Sequence, residues 1–190
     1  MCGNGGRCIV AFAEKLGIIR KEKLFEFEAI DGVHEALWTE GEVSLKMVDV
    51  DGIQEIAGGF FLNTGSPHFV SFHNDIESLD VLRLGYDIRN SSLFGDGGTN
   101  VNFVKVFGDG LINVRTYERG VEDETWSCGT GCVASVLTDH YLNNKTERYR
   151  VKVRGGDLKI RFDAMGAGVY KNIWLEGSAK FVYEGNIRKF

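Results

Sequence analysis

The stretch MCGNGGRC, residues 1–8, contains Cys2-Gly3-Asn4-Gly5, and a near-copy stands far downstream at Cys128-Gly129-Thr130-Gly131. Each copy opens an apolar segment with helical spacing. Between Asn4 and Gly17, Cys8, Phe12 and Leu16 recur at i, i+4 and i+8, and Gly17 is a natural stop. After the second copy, GCVASVLTDHYL (131–142) also reads as a helix. Glycines in such turns permit positive φ and a close approach to the backbone. A helix N-terminus presents unpaired N–H groups and a partial positive charge, which suits an anion. A cysteine placed there should have its thiolate stabilised. Two such turns facing each other would cradle one carboxylate and put a sulfur on each side of the neighbouring carbon. One sulfur, as thiolate, would remove a proton while the other, as thiol, returned one on the opposite face.

Outward from these turns the period changes to two. In LFEFEAI (24–30) Phe25, Phe27 and Ala29 share a face and Glu26 and Glu28 point away; VHEALWT (33–39) and EVSLKMV (42–48) follow. Asp31-Gly32, Glu40-Gly41 and Asp51-Gly52 punctuate them, the pattern of an antiparallel meander. From about Ile53 a second block repeats the plan. It has strands at GGFFLN (58–63) and PHFVSF (67–72), a helix over Ile76 to Leu84, and strands at VNFVKVF (101–107) and LINVRTYE (111–118) across Gly108-Asp109-Gly110. Strands at 147–153, 157–163 and 170–177 follow the second helix. Each block is a meander with one helix led by a Cys-Gly-x-Gly turn, a weak internal duplication. The expected class is α+β: two pseudo-symmetric β-meander or barrel-like domains, each wrapped on a central helix, the first incomplete. We divide the chain into 1–48, the remnant of a first domain; 49–175, the second domain; and 176–190, a terminal strand returning toward the first.

Composition narrows the class. The 190 residues are 43% apolar and 26% charged, with 25 glycines against one proline, which suits a β-rich chain of tight turns. A net charge of −5 and the absence of a basic patch argue against nucleic acid. No run of 18 apolar residues suggests a membrane span, and no signal peptide is evident. A reducing cytoplasm is expected, where cysteines are more often chemical than cross-linking.

Cys8 and Cys132, inside the helices, read as small buried hydrophobes. The spacings C-x5-C and C-x3-C do not match paired zinc ligands, so no metal is expected. Neither turn fits the phosphate-binding pattern G-x4-G-K-[ST]. A cysteine hydrolase pairing Cys128 with His68 or His140 would leave the other turn unexplained.

Taken whole, MCGNGGRC and YERGVEDETWSCGTG (117–131) resemble the two cysteine signatures of diaminopimelate epimerase, and the similarity runs along the full chain. The resemblance implies cofactor-independent interconversion of LL- and meso-diaminopimelate for lysine and cell-wall synthesis, with Cys2 and Cys128 as the acid–base pair. It further implies that the backbone of Gly3, Asn4, Gly129 and Thr130 holds the reacting carboxylate. Glu118 and Arg119 are similar to the family's pair for the substrate's ammonium and carboxylate groups, and Asn100 to an asparagine at its distal end. TGSPHFV (64–70) resembles the Asn-Pro-His signature, with Ser66 where asparagine is usual and His68 in place. A homodimer is the assembly the family implies. A proline or hydroxyproline racemase is the rival in the same fold; it lacks Glu-Arg-Gly before the second cysteine. A fragment that binds ligand or partner without turnover is the third reading.

In the family a long segment precedes the first cysteine, supplying strands and polar substrate contacts. Here Met1-Cys2 begins the sequence. The expectation is a truncated chain, or one whose missing strands a partner supplies, that by itself turns over weakly or not at all. If the two turns converge, mild oxidation should join Cys2 to Cys128 in one reductant-sensitive disulfide. Peptide mapping that instead places the bridge on Cys8 or Cys132 would reject the pairing.

Overall fold

In the computed structural model, residues 2–20, 23–39 and 41–186 are described; Met1, Glu40 of the Glu40-Gly41 turn, and 187–190 of the terminal segment lie outside them. Helix α1 spans Gly3–Lys15 and is followed by β1 (Leu24–Ala29), β2 (Gly32–Thr39) and β3 (Glu42–Lys46). Short strands β4 (Val50–Asp51) and β5 (Gln54–Ile56) lead to β6 (Gly59–Asn63) and β7 (Pro67–Phe72). Helix α2 (Val81–Arg89) and a 3-10 turn (Ser92–Phe94) precede β8 (Asn100–Gly108), β9 (Leu111–Glu118) and β10 (Asp123–Thr125). Helix α3 (Gly129–Asn143) and strands β11 (Arg148–Val153), β12 (Gly156–Gly166) and β13 (Val169–Ser178) complete the order.

The strands form one hydrogen-bonded path, β1-β2-β3-β13-β12-β11-β9-β8-β7-β6-β5, with β10 on β9 and β4 on β13. Most neighbours are antiparallel; β7 with β8 and β9 with β11 are parallel. The two meanders are therefore joined, and β13 is the join. It pairs with β12 on one side and with β3 on the other, from Trp174↔Lys46 to Ser178↔Glu42. The strand that reaches the first block thus begins at Val169 and ends at Ser178, earlier than the expected 176–190. Residues 179–186 form no strand and run beside α1, where Lys15 lies 3.2 Å over the Phe181 ring and pairs with Glu184.

Helix α3 is buried on all sides, every residue from Gly131 to His140 included, because its apolar and small side chains leave no wet face. Its environment explains the alternation in the flanking strands. On one face of β7, β8 and β9, Val70, Val104, Ile112 and Val114 join the cluster around α3. On the other, Phe69, Val101, Phe103 and Tyr117 pack under α2 with Ile76 and Val81.

Two expectations need correction. Helix α1 buries Gly3, Gly6, Arg7 and Val10, whereas the expected stripe of Cys8, Phe12 and Leu16 is exposed. Periodicity finds an apolar stripe, but glycines on the other side let the helix lie closer to β3 and β13, and that side wins. Helix α2 begins at Val81, five residues later than Ile76. Asp80 caps it by accepting from the Arg83 N–H at 3.1 Å, while Asp75 closes a preceding turn through the Glu77 N–H and Ser78 hydroxyl. Ile76 instead plugs the α2 cluster and is fully buried.

Gly85 of α2 lies directly on Tyr117, and an added Cβ would overlap that side chain. Gly85→Ala should cost about 1–3 kcal/mol by forcing α2 off β9. A lower urea midpoint at unchanged slope is the expected readout; an unaltered midpoint would refute this packing.

Candidate functional site

Cys2 and Cys128 are the N-cap residues of α1 and α3, both in extended conformation. Their carbonyls accept the first intrahelical bonds, from the Gly6 and Cys132 N–H groups at 2.9 Å each. The intervening amides have no partner within their helices. The two helix ends meet glycine to glycine. A Cβ added to Gly3 would stand 3.7 Å from the Gly129 Cα, and each glycine would clash with Leu175 of β13, at 2.9 and 2.8 Å. Only backbone fits there.

Both ends open into one cavity of about 430 Å³. Cys2, Gly3 and Asn4 line it from α1, and Cys128, Gly129 and Thr130 from α3. Ser66 precedes β7, Asn100 starts β8, and Glu118 and Arg119 end β9, so these four reach the same space from strand ends. A larger concavity of about 740 Å³, bordered by Arg148, Arg150 and Lys159, contains neither cysteine turn.

The polar groups around the cavity are ordered by protein contacts. The Asn100 amide donates to the Ser66 hydroxyl at 2.7 Å and the Pro67 carbonyl at 2.8 Å, and accepts from the Arg119 N–H at 2.9 Å. Both ends of this amide are engaged, so Asn100 fixes Ser66 and Arg119 and leaves the Ser66 proton free to donate inward. Arg119 donates from Nη1 to the Gly97 carbonyl at 3.3 Å. The half-buried Glu118 carboxylate has no hydrogen bond among the described residues and faces the cavity, positioned for a cationic group.

Burial pushes the Cys128 thiol up to about 11; the nearby Glu118 charge adds to this, and the Thr130 hydroxyl and Gly131 amide oppose it. Cys132 is fully buried, while Cys8 is exposed, contrary to its expected packing. His68 was grouped with the cavity contacts on sequence grounds, yet it lines no part of the cavity. It is fully buried behind Thr130, 3.0 Å from that hydroxyl. His140 bonds the Tyr170 hydroxyl and packs edge-on against Phe162. Neither histidine bonds a cysteine among the described residues.

Several participants escaped sequence reasoning. Arg7 is 7% exposed, donates from Nη2 to Asn4 Oδ1 at 2.7 Å, and has no partner for Nε or Nη1 among the described residues. Asn4 in turn donates to the Ser127 carbonyl at 3.1 Å, tying the first turn to the segment that leads from β10 into the second. The Thr125 and Ser127 hydroxyls are buried without partners in residues that line the cavity, a condition that a polar ligand relieves. The signal for Arg7 was present in MCGNGGRC, where a charge sits four residues from Gly3 on a helix face.

Asn4→Ala should remove the tie to Ser127 and the one bond that Arg7 makes. Stranding a buried guanidinium costs about 1–3 kcal/mol. We expect a matching fall in unfolding free energy, and stability equal to native would show the tie to be idle.

A family profile described as diaminopimelate epimerase matches residues 60–182. A diaminopimelate epimerase from Flavobacterium psychrophilum is 43% identical over 189 residues, covering 98% of this chain and 73% of that protein. One from Chlorobaculum tepidum is 45% identical over 198 residues, covering 98% and 74%. Among solved structures, a probable proline racemase from Agrobacterium radiobacter matches with a TM-score of 0.70 at 14% identity, covering 97% of this chain and 68% of that one. A phenazine biosynthesis protein from Bacillus anthracis matches at 0.71 with 10% identity, covering 94% and 73%. At such identities these structures establish a shared fold.

Proposed function

Because the chain belongs to the diaminopimelate epimerase family, we propose that it interconverts LL- and meso-diaminopimelate as an isomerase, with Cys2 and Cys128 exchanging protons at the α-carbon. One observation carries this reading: two cysteine-capped helix ends, in contact with each other, open into one cavity. The free amides of Gly3, Asn4, Gly129 and Thr130 would receive the α-carboxylate, where two helix dipoles add their positive ends. Glu118, lacking a protein partner, would take the α-ammonium group. The Ser66 hydroxyl and the Arg119 guanidinium would bind polar groups of the remainder.

The proton balance is simple. A thiolate on one face takes the α-proton, so the C–H bond breaks, an S–H bond forms, and the electron pair stays on carbon next to the carboxylate. The thiol opposite gives its proton to that carbon and becomes the thiolate. The helix ends stabilise charge that builds on the carboxylate during the transfer. After turnover the two sulfurs have exchanged protonation states, and the reverse reaction begins from that state. No cofactor is required by this cycle. The four free thiols suit a reducing cytoplasm.

Glu118 and Arg119 together favour diaminopimelate over proline, whose ring nitrogen and single carboxylate would use less of this polar lining. In D2O, label should enter the α-carbon of diaminopimelate with the native chain. Cys2→Ser and Cys128→Ser should each lower that rate by about 10²–10⁴-fold, the scale of a lost general acid or base. Exchange persisting in both variants, or label entering proline instead, would overturn the assignment.

A further inference from the structure

The second cysteine is served by a row of buried side chains that the two-thiol scheme does not use. Neighbouring strands place them on one face. His68 of β7 pairs in register with Asn100 of β8, and Asn102 of β8 with Thr116 of β9. His68, Asn102 and Thr116 are all buried beneath the first turn of α3. Asn102 packs so tightly there that a Cβ on Gly131 would overlap its Oδ1.

Hydrogen-bond directions along this row are fixed by chemistry. The Asn102 Nδ2 lies 3.0 Å from the Phe69 carbonyl, which can only accept, so the amide nitrogen faces that way. The Asn102 Oδ1 accepts from the Thr116 hydroxyl at 3.0 Å, consistent with the same orientation. The second Nδ2 proton points to His68 Nδ1 at 3.1 Å, which must therefore be unprotonated. The neutral ring then carries its proton on Nε2, 3.0 Å from Thr130 Oγ1. Thr130 accepts that bond, which frees its own proton for the sulfur of Cys128 at 3.5 Å. His68 is fully buried and has an acid pKa of about 3, lowered by burial and by the Arg119 charge, so the ring stays neutral at ordinary pH.

We infer that Asn102, His68 and Thr130 form a positioning array in which Asn102 sets the His68 tautomer, His68 aims the Thr130 hydroxyl, and that hydroxyl donates to Cys128 and stabilises its thiolate. This rests on the reading of Cys128 as an acid–base residue and adds a directional device behind it. Thr130 touches the reacting sulfur; His68 and Asn102 act through it and touch no ligand. Other charged or titratable groups facing the sulfur are Glu118 from the end of β9 and Cys2 from α1, with Arg119 facing His68. The first turn has no counterpart. Asn4 occupies the place of Thr130, and its amide goes to Ser127 and Arg7 instead.

The test reads the Cys128 peptide by mass spectrometry during iodoacetamide alkylation of the whole chain, across pH 7 to pH 11, so that the exposed Cys2 and Cys8 are followed separately. Thr130→Val and His68→Leu should slow Cys128 alkylation about 10- to 100-fold below its pKa, the loss of one hydrogen bond to a charged group. The native rate should begin to level near pH 11, where the variant rates should still be climbing. Thr130→Ser and His68→Gln, which keep the donor, should track the native profile. If Thr130→Val and His68→Leu, folded by circular dichroism, alkylate like native protein, the array is refuted. Deuterium exchange surviving Cys128→Ser would instead sink the epimerase reading and leave the alkylation result standing, so the two failures are separable.

Discussion

Two helix N-termini pressed together at Gly3 and Gly129 are the constraint around which the rest of this protein is arranged. Like ends of two macrodipoles, each worth about half a positive charge, repel when brought into contact. Nothing but glycine fits at the junction, because Leu175 closes it from below. The buried Arg7 adds a further positive charge beside the same helix start. A site so rich in positive potential is poised for an anion, and the Glu118 carboxylate lines the same cavity.

Holding the repelling ends together is the task of β13. It is the strand that pairs with both meanders, through β12 and β3, and it carries Leu175 under the junction. Its Gly177 lies against the Arg7 guanidinium, where an added Cβ would stand 3.2 Å from Nε and would clash with Leu158. The contact between the helix ends is thus fastened by a continuous sheet rather than by the loops that lead into them. Rigid elements hold catalytic groups more closely than loops do. Such fastening would serve the proposed proton transfer, in which small displacements of either sulfur are costly.

Much of this was legible in the residues, and the illegible parts share a cause. The duplicated Cys-Gly-x-Gly turn announced two helix ends, and Asp31-Gly32 placed the hairpin of β1 and β2, whereas Asp51-Gly52 joins β4 to β5, which pair with β13 and β6 and not with each other. Which side of α1 packs was not legible, since Phe12 and Leu16 form as good a stripe as Gly3, Gly6 and Val10 do. Glycine contributes nothing to an apolar count although it permits the closest contact. Nor could a linear reading foresee that His68 lies behind Thr130. Its neighbours arrive from β8 and β9, 34 and 48 positions downstream for Asn102 and Thr116, and a register between strands carries no local signal. The polar members of β8, Asn100 and Asn102, did alternate with Val101 and Phe103. That pattern says a polar face is buried without saying against what.

The quasi-duplication ends where chemistry begins. The two turns share backbone geometry, and both present amides to one cavity, yet they differ at their third residue. An asparagine in the first turn is spent on structure, bridging Ser127 and Arg7. A threonine in the second is short enough to keep its hydroxyl beside its own cysteine. The environments follow suit: Cys2 is exposed at the cavity rim, and Cys128 is buried with a hydroxyl and a carboxylate for neighbours. Identical thiols in identical sites would have equal proton affinity, and direction would be left to the substrate. Here the two sulfurs stand in unequal sites, one exposed and one buried beside a hydroxyl and a carboxylate. A repeat unit that kept its backbone and changed one side chain is sufficient to produce that difference.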